Sequence, residues 1–170
     1  MKPTLETERL ILRPQVESDA IELIAMSMDP DVMRYIGYGA MTLQASEELA
    51  QETLEMEGAL GRWIVVEKDT GLLLGWVVLT HLDGSQDIEI GYGFKAIAWG
   101  RGFATEAAMR LVRYGFEDLG LPEIVAVSRP ENAASHRVLE KAGLRRRGLR
   151  DAFGLHGLYY FVARAQAPAA

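Results

Sequence analysis

The sequence predicts an α+β domain, and three observations carry that reading. The chain has 170 residues, 49% of them hydrophobic and 25% charged, the composition of one ordinary globular core rather than of a disordered or fibrous chain. Two β-rich runs, 63–67 and 72–79, are joined by Lys68-Asp69-Thr70-Gly71, whose turn chemistry marks a hairpin. A long amphipathic helix over about 102–118 is stopped by Gly120 and Pro122 and followed by a strand of buried type over 123–127. A chain near this size buries roughly 70% of the surface it exposes when unfolded and needs no cross-link to hold together.

Taken in order, residues 8–13 read as the first strand, ended by Pro14, after which Ser18 caps a helix carrying Ile21, Ile24, Ala25 and Met28. The aromatic and glycine-rich stretch 29–39 reads as a short helix with a mobile loop, suited to covering a pocket, and 44–56 as an acidic helix. Residues 87–94 alternate, with Ile88, Ile90 and Tyr92 on one face and Glu89, Gly91 and Gly93 on the other. Glycines inside a strand signal a bulge or a close backbone approach. Helix 102–118 turns Phe103, Ala107 and Leu111, with Ala104, Ala108, Val112 and Gly115, to the core, and sets Glu106 one turn before Arg110 as an ion pair. Helix 133–142 ends at Gly143. Residues 144–152 and 158–163 form a last hairpin, and 165–170 read as a flexible tail. No repeat or linker divides the chain, so 1–170 is read as one domain with its core over 6–164.

Composition excludes several classes of function. With no cysteine there are no disulfides, thiolate zinc sites or cysteine nucleophiles, which fits a reducing compartment. His81, His136 and His156 are scattered and make no metal-binding spacing, so no metal is expected. No apolar run approaches a membrane span, so no membrane contact is expected and the chain reads as cytoplasmic. The net charge of −6 argues against non-specific nucleic-acid binding. Arg145-Arg146-Arg147 lies in a strand whose alternation splits the three between faces. Residues 1–85 carry 6 basic and 15 acidic side chains and residues 86–170 carry 12 and 9, so an anionic ligand prefers the second half.

The chemistry concentrates in two stretches. In Trp99-Gly100-Arg101-Gly102-Phe103-Ala104-Thr105 a glycine-bearing turn opens a helix whose first amides have no partner, which is either a plain structural turn or a cradle for a pyrophosphate. It lacks the Gly-Lys-Ser/Thr ending of a Walker loop, and Thr105 stands where a dinucleotide fingerprint needs its third glycine. The second stretch, Asn132-Ala133-Ala134-Ser135-His136-Arg137-Val138-Leu139-Glu140-Lys141-Ala142-Gly143-Leu144, follows the next strand. The paired motifs, a Gly-x-Gly turn before one helix and Asn-x-x-Ser with a terminal Lys-x-Gly-Leu on the next, resemble the GNAT superfamily of acyl-CoA-dependent N-acyltransferases. Glu6-Thr7-Glu8-Arg9-Leu10-Ile11-Leu12-Arg13, Glu89-Ile90-Gly91-Tyr92 and Trp99-Gly100-Arg101-Gly102 resemble its RimJ/RimL-type branch, which includes ribosomal-protein N-terminal acetyltransferases. The likeness runs from residue 6 to 164.

That resemblance implies α/β/α layers around a mixed, mainly antiparallel sheet of about seven strands, whose central pair, 87–94 and 123–128, splays to admit acetyl-CoA. The amides of Gly100, Arg101, Gly102, Phe103, Ala104 and Thr105 would hold the pyrophosphate, and backbone groups from Phe94 to Ile97 the pantetheine. Trp99 fits the branch, its alternative role being a packed core aromatic. Asn132 is either a helix cap or a ligand to a pantetheine carbonyl, or both. Arg137 and Lys141 reach the CoA phosphates or form a solvated face. Glu89 is the candidate general base, acting through water, against the alternative of a structural ion pair. Much of the superfamily has a tyrosine acid where this chain has Leu139, and the branch points instead to Ser135, whose hydroxyl protonates the leaving thiolate or else bonds local backbone. The implied reaction is direct acetyl transfer in a ternary complex to an amine, a protein N-terminus or a small molecule. The acidic side formed by 29–56 would draw in a cationic acceptor, with 149–159 as the opposite wall. A homodimer is expected, no metal is needed, and the competing class is an acyl-CoA-binding module without turnover.

Overall fold

The computed structural model describes residues 2–37 and 39–166. Its strands are β1 (Leu5–Glu6), β2 (Leu10–Arg13), β3 (Gly61–Glu67), β4 (Leu73–His81), β5 (Ile88–Phe94), β6 (Glu123–Ser128), β7 (Arg145–Ala152) and β8 (Leu155–Ala163). Four α-helices accompany them: α1 (Ala20–Met28), α2 (Leu43–Glu55), α3 (Phe103–Glu117) and α4 (Ala133–Lys141). The strands form one eight-stranded sheet in the order β1-β2-β3-β4-β5-β6-β8-β7. Every neighbouring pair is antiparallel except β5 and β6, which run parallel and share one register pair, Glu89↔Val125.

The count exceeds the expected seven because a short strand, β1, precedes the one expected over 8–13. Thr7 separates the two: its amide donates to the Leu10 carbonyl (3.0 Å) and its Oγ1 accepts from the Leu10 amide (2.9 Å), closing a tight turn that pairs β1 back onto β2. The bulge foreseen in the glycine strand lies instead between β3 and β4, at Val65/Val66. The glycines of β5 serve close approach: a Cβ on Gly93 would lie 2.8 Å from Trp76 Cζ2 and one on Gly91 3.0 Å from Val78 Cγ1.

One face of the sheet packs Trp63, Val77, Leu79 and Ile90 against Phe103, Ala107 and Leu111 of α3 and Leu139 of α4. The other packs Ile64 and Leu73 against Leu23 and Met26 of α1 and Val32 beyond it. Burying roughly 25 cal/mol per Å2 of apolar surface on both faces holds the three layers together.

Three local expectations are corrected. Helix α1 is entered through a 3-10 turn at Glu17–Asp19, and Asp19 organises it in place of Ser18. The Asp19 carboxylate accepts from the Val16 amide (2.8 Å) and from both Arg13 terminal nitrogens (2.7 Å each), and burial of the pair is offset by those charge-assisted bonds. Helix α1 buries Leu23, Met26 and Ser27, whereas Ile21 is 81% exposed; apolar residues lie around most of this helix, so periodicity alone did not select the face. The described part of 29–41 contains turns and no helix, with Met33 donating to Asp29 and Ile36 to Met33 (2.9 and 3.0 Å). Of the expected tail, 164–166 form a 3-10 turn and 167–170 lie outside the described residues. No helix of the described residues is long and apolar enough to cross a membrane.

Candidate active site

Strand β5 stays paired with β4 as far as Gly75↔Phe94, yet it meets β6 only at Glu89. Beyond that point the two strands diverge, and a cavity of about 480 Å3 opens between β5, the turn before α3, and α4. Tyr92, Gly93 and Phe94 supply its β5 wall, and Val32, Tyr35 and Ile36 of the α1–α2 connection roof it.

The turn before α3 is shaped by two glycines in the left-handed region, Gly100 at φ 71 and Gly102 at φ 81, which other residues adopt only at a cost of about 1–2 kcal/mol. Gly102 is the N-cap and has no side chain to cap with, so the first amides of a 15-residue helix face the cavity with the positive end of its dipole. A Cβ on Gly100 would meet nothing within 4 Å, leaving room for a phosphate to reach those amides. Gly100, Gly102, Phe103, Ala104 and Thr105 line the cavity. Arg101 and Ile97 do not: the Arg101 side chain is turned outward onto Glu67 (2.7 Å) and the Phe103 ring, and Ile97 is exposed.

The outside of this turn is anchored to the N-terminal strands. Glu106 accepts from Thr7 Oγ1 (2.6 Å), the Arg9 amide (2.9 Å) and Arg9 Nε (2.7 Å), while Arg9 Nη1 donates to the Arg101 carbonyl (3.0 Å). The expected Glu106–Arg110 pair is therefore replaced: these bonds hold the Glu106 carboxyl below the ordinary carboxylate range against the opposing effect of burial, and Arg110 donates to the Glu6 carbonyl instead.

Trp99 is 51% exposed and lines the cavity, so it is not a core aromatic. Its Nε1 donates to the Phe94 carbonyl (2.8 Å), and the Lys95 amide donates to Leu74 (2.8 Å); both groups are engaged within the protein. On the opposite wall Asn132 caps α4, its Oδ1 accepting from the Ser135 amide (3.1 Å), while its side chain also lines the cavity. Arg137 and Lys141 line it one and two turns further on.

Ser135 Oγ lies 2.9 Å from Tyr92 Oη, and Tyr92 Oη also donates to the Ser135 carbonyl (3.2 Å). The serine hydroxyl is thus held by a strand side chain rather than by local backbone. Burial pushes the Tyr92 hydroxyl well above its ordinary range, so it stays protonated and able to donate. The alternation of β5 puts Tyr92 on this face, and its partner comes from α4, which crosses that face 43 residues later.

Glu89 lies on the other face of the sheet, outside the cavity lining, and is 8% exposed. Burial, reinforced by nearby Asp83, pushes its carboxyl up to about 7. No ion pair to it exists among the described residues, which removes the structural-pair alternative. His136 bonds the Arg129 carbonyl (3.0 Å) and stacks on Tyr160, and His81 ends β4 on the surface.

A split sheet beside an uncapped helix start suits an extended, phosphate-bearing ligand, and comparison with known proteins gives the family. The acetyltransferase (GNAT) domain model matches residues 9–145, and the chain belongs to that family. It is 34% identical over 150 residues to an uncharacterized N-acetyltransferase, p20, of Bacillus licheniformis, covering 86% of this chain and 84% of that one. It is 31% identical over 156 residues to the FsC-acetyl coenzyme A-N(2)-transacetylase of Aspergillus fumigatus, covering 84% and 65%. Among solved structures, a GNAT-family acetyltransferase from Bacillus anthracis superposes with a TM-score of 0.83 at 29% identity, covering 96% of this chain and 99% of that one. The protein is an acetyltransferase of a family that uses acetyl-CoA, as expected, and the competing reading of a module without turnover gives way.

Proposed function

We propose that this enzyme transfers an acetyl group to an amine, a protein N-terminus or a small molecule, in the manner of the RimJ/RimL-type branch, with Glu89 as general base and Ser135 as general acid. The observation that carries the proposal is the Ser135–Tyr92 hydroxyl pair at the point where β5 and β6 separate. Acetyl-CoA supplies an acetyl group activated as a thioester. The residues fit it: the amides of 100–105 and the α3 dipole suit a pyrophosphate, Arg137 and Lys141 suit further phosphate, and Asn132 suits an amide of the pantetheine arm.

Proton traffic then falls to two side chains. Glu89, titrating near 7, accepts through water the proton that the acceptor ammonium loses before its nitrogen can attack. Ser135, hydrogen-bonded to Tyr92 Oη, donates its hydroxyl proton to the departing sulfur, and the proton that the attacking nitrogen sheds as the amide forms restores the serine hydroxyl, so that Tyr92 stays protonated throughout. Holding both reactants in the split supplies much of the rate enhancement through alignment. A homodimer acting in the cytoplasm belongs to the same reading.

Calorimetric titration with acetyl-CoA, with NAD and ATP as controls, tests the proposal first. Micromolar acetyl-CoA binding, about −8 kcal/mol, followed by acetylation within a panel of amines and N-terminal peptides, is the expected outcome. Folded protein that ignores millimolar acetyl-CoA overturns it.

A further inference from the structure

The sheet face that carries Glu89 holds two guanidinium groups that the reaction above does not use. Arg62 of β3 pairs with Val78, which pairs with Gly91, so Arg62 stands on the Glu89 face two strand spacings, about 10 Å, from β5. Its guanidinium lies over the Trp76 ring, 4.6 Å from the centroid, and Trp76 in turn covers Gly93: a Cβ there would fall 2.8 Å from Trp76 Cζ2. The charge is thereby carried level with Gly93, toward the open end of the split. Arg62 Nε is buried without a partner, and the side chain makes no hydrogen bond or ion pair among the described residues. Burial lowers its pKa to about 10, which leaves it fully charged near neutrality.

Across the split, Arg129 follows β6 in the same alternation as Val125 and Val127. It donates to the Gly37 carbonyl (2.9 Å) in the roof, and its Nε is likewise buried and has no partner among the described residues. Between these two cations β5 carries no side chain of its own on this face: a Cβ at Gly91 would meet Val78 Cγ1 alone, at 3.0 Å, while Gly93 is covered by Trp76 and Ile36. A half-buried guanidinium with its Nε shielded from water and no counter-charge is costly. On this face it is an incomplete site, and an oxyanion is the group that completes it, because the planar fork matches a carboxylate in two places.

We propose that Arg62, held on Trp76 and assisted by Arg129, binds a carboxylate of the acceptor, so that the preferred acceptor is an amino acid or short peptide with a free carboxylate rather than a simple alkylamine. This rests on the amine-acetylation reading above. An acceptor lying along β5 over Gly91 turns its amine toward Glu89 at the closed end of the split and its carboxylate toward Arg62 at the mouth. The acceptor class therefore differs from the purely cationic one that the acidic first half of the chain suggests. The acidic side chains of α2 do not contradict it: Glu48 and Glu55 are exposed and paired with Gln44 and Gln51 on their own helix.

The test is acetyl transfer by wild type, Arg62→Met and Arg62→Lys to matched acceptors: each free amino acid against its amide, and alanyl dipeptides against their C-terminal amides. Wild type is expected to favour the free carboxylate at least tenfold in kcat/KM. Arg62→Met should reduce that preference to within about threefold, through KM, and Arg62→Lys should keep part of it. Because Arg62→Met removes an unpaired charge, it should also melt at a higher temperature than wild type, an outcome that shows the variant is folded. Absence of a carboxylate preference in wild type, failure of every carboxylate-bearing acceptor, or equal losses on both members of each pair in Arg62→Met overturns the inference. Acetyl-CoA titration of the same preparations separates the two failures. If acetyl-CoA binds and amides react as well as acids, only the acceptor assignment falls; if acetyl-CoA does not bind, the parent reading falls with it.

Discussion

Replacing Glu89 by Gln should make the protein more stable above neutral pH while removing most of its activity. In the folded protein the carboxyl titrates near 7 rather than at its ordinary 4.5, because burial and the neighbouring Asp83 disfavour the anion. A folded-state pKa raised above the unfolded one means that the native state binds the extra proton. Stability from this group is therefore fully present below about pH 4.5 and is lost as pH rises through about 7. At about 1.4 kcal/mol for each pH unit of difference, the loss is about 3 kcal/mol once the group is ionised. Glutamine keeps the shape and cannot ionise, so the stability gap between variant and wild type should be small at pH 4.5 and about 3 kcal/mol at pH 8. Urea unfolding of both proteins at the two pH values measures it. The same substitution should lower kcat by about 10²–10⁴-fold and abolish the limb near pH 7 in the pH–rate profile. A stability difference independent of pH would refute the burial argument. Survival of the limb in the Gln variant would refute the role as base even if the stability result held.

Two further outcomes follow from the cavity walls. Ser135→Ala removes the hydroxyl that faces Tyr92 and should lower kcat at least tenfold while acetyl-CoA affinity, read by calorimetry, stays within a few-fold; unchanged turnover would reassign the acid. Gly100→Val places a β-branched side chain at φ 71 in open space. It should cost about 1–2 kcal/mol of stability and weaken acetyl-CoA binding at least tenfold, and an unchanged Kd would move the phosphate elsewhere.

How much of this was readable in the sequence depended on how far apart the partners lie. The β3–β4 hairpin was plain because its turn is local, with Gly71 at φ 70, and α3 because one stripe of it is apolar and the rest is not. Helix α1 was misread because so much of its circumference is apolar; only the arrival of Ile64 and Leu73 beneath it selects Leu23 and Met26. At the site, the glycine turn, Asn132 and Ser135 are legible through the family resemblance that their paired local motifs carry; spacing alone leaves them a structural turn, a helix cap and a backbone-bonded hydroxyl. Glu106 is not legible, since a partner four residues away looked sufficient, whereas its real partner, Arg9, is 97 residues distant. Tyr92 ends the Glu89-Ile90-Gly91-Tyr92 segment, but nothing in that segment marks its hydroxyl for the site, and Arg62 belongs to no motif. The roles proposed for them arise from what the sheet and α4 place beside them, which no local pattern encodes.

The split also bears on how the molecule can move. The ladders β1–β5 and β6–β8–β7 are each closed by antiparallel pairing, so the sheet is two stiff leaves that share Glu89↔Val125 as their backbone junction. Within each leaf every change of spacing breaks hydrogen bonds. Between the leaves, toward Phe94 and Ser128, there is no ladder to break, and the hydrogen bonds that span the gap there are side-chain ones, Tyr92 to Ser135 and Arg129 to Gly37. Widening the mouth is therefore a hinge motion about that junction, resisted by those side-chain bonds and the packing of α3 and α4 and not by the ladders, and a long ligand can be admitted and released with the secondary structure intact.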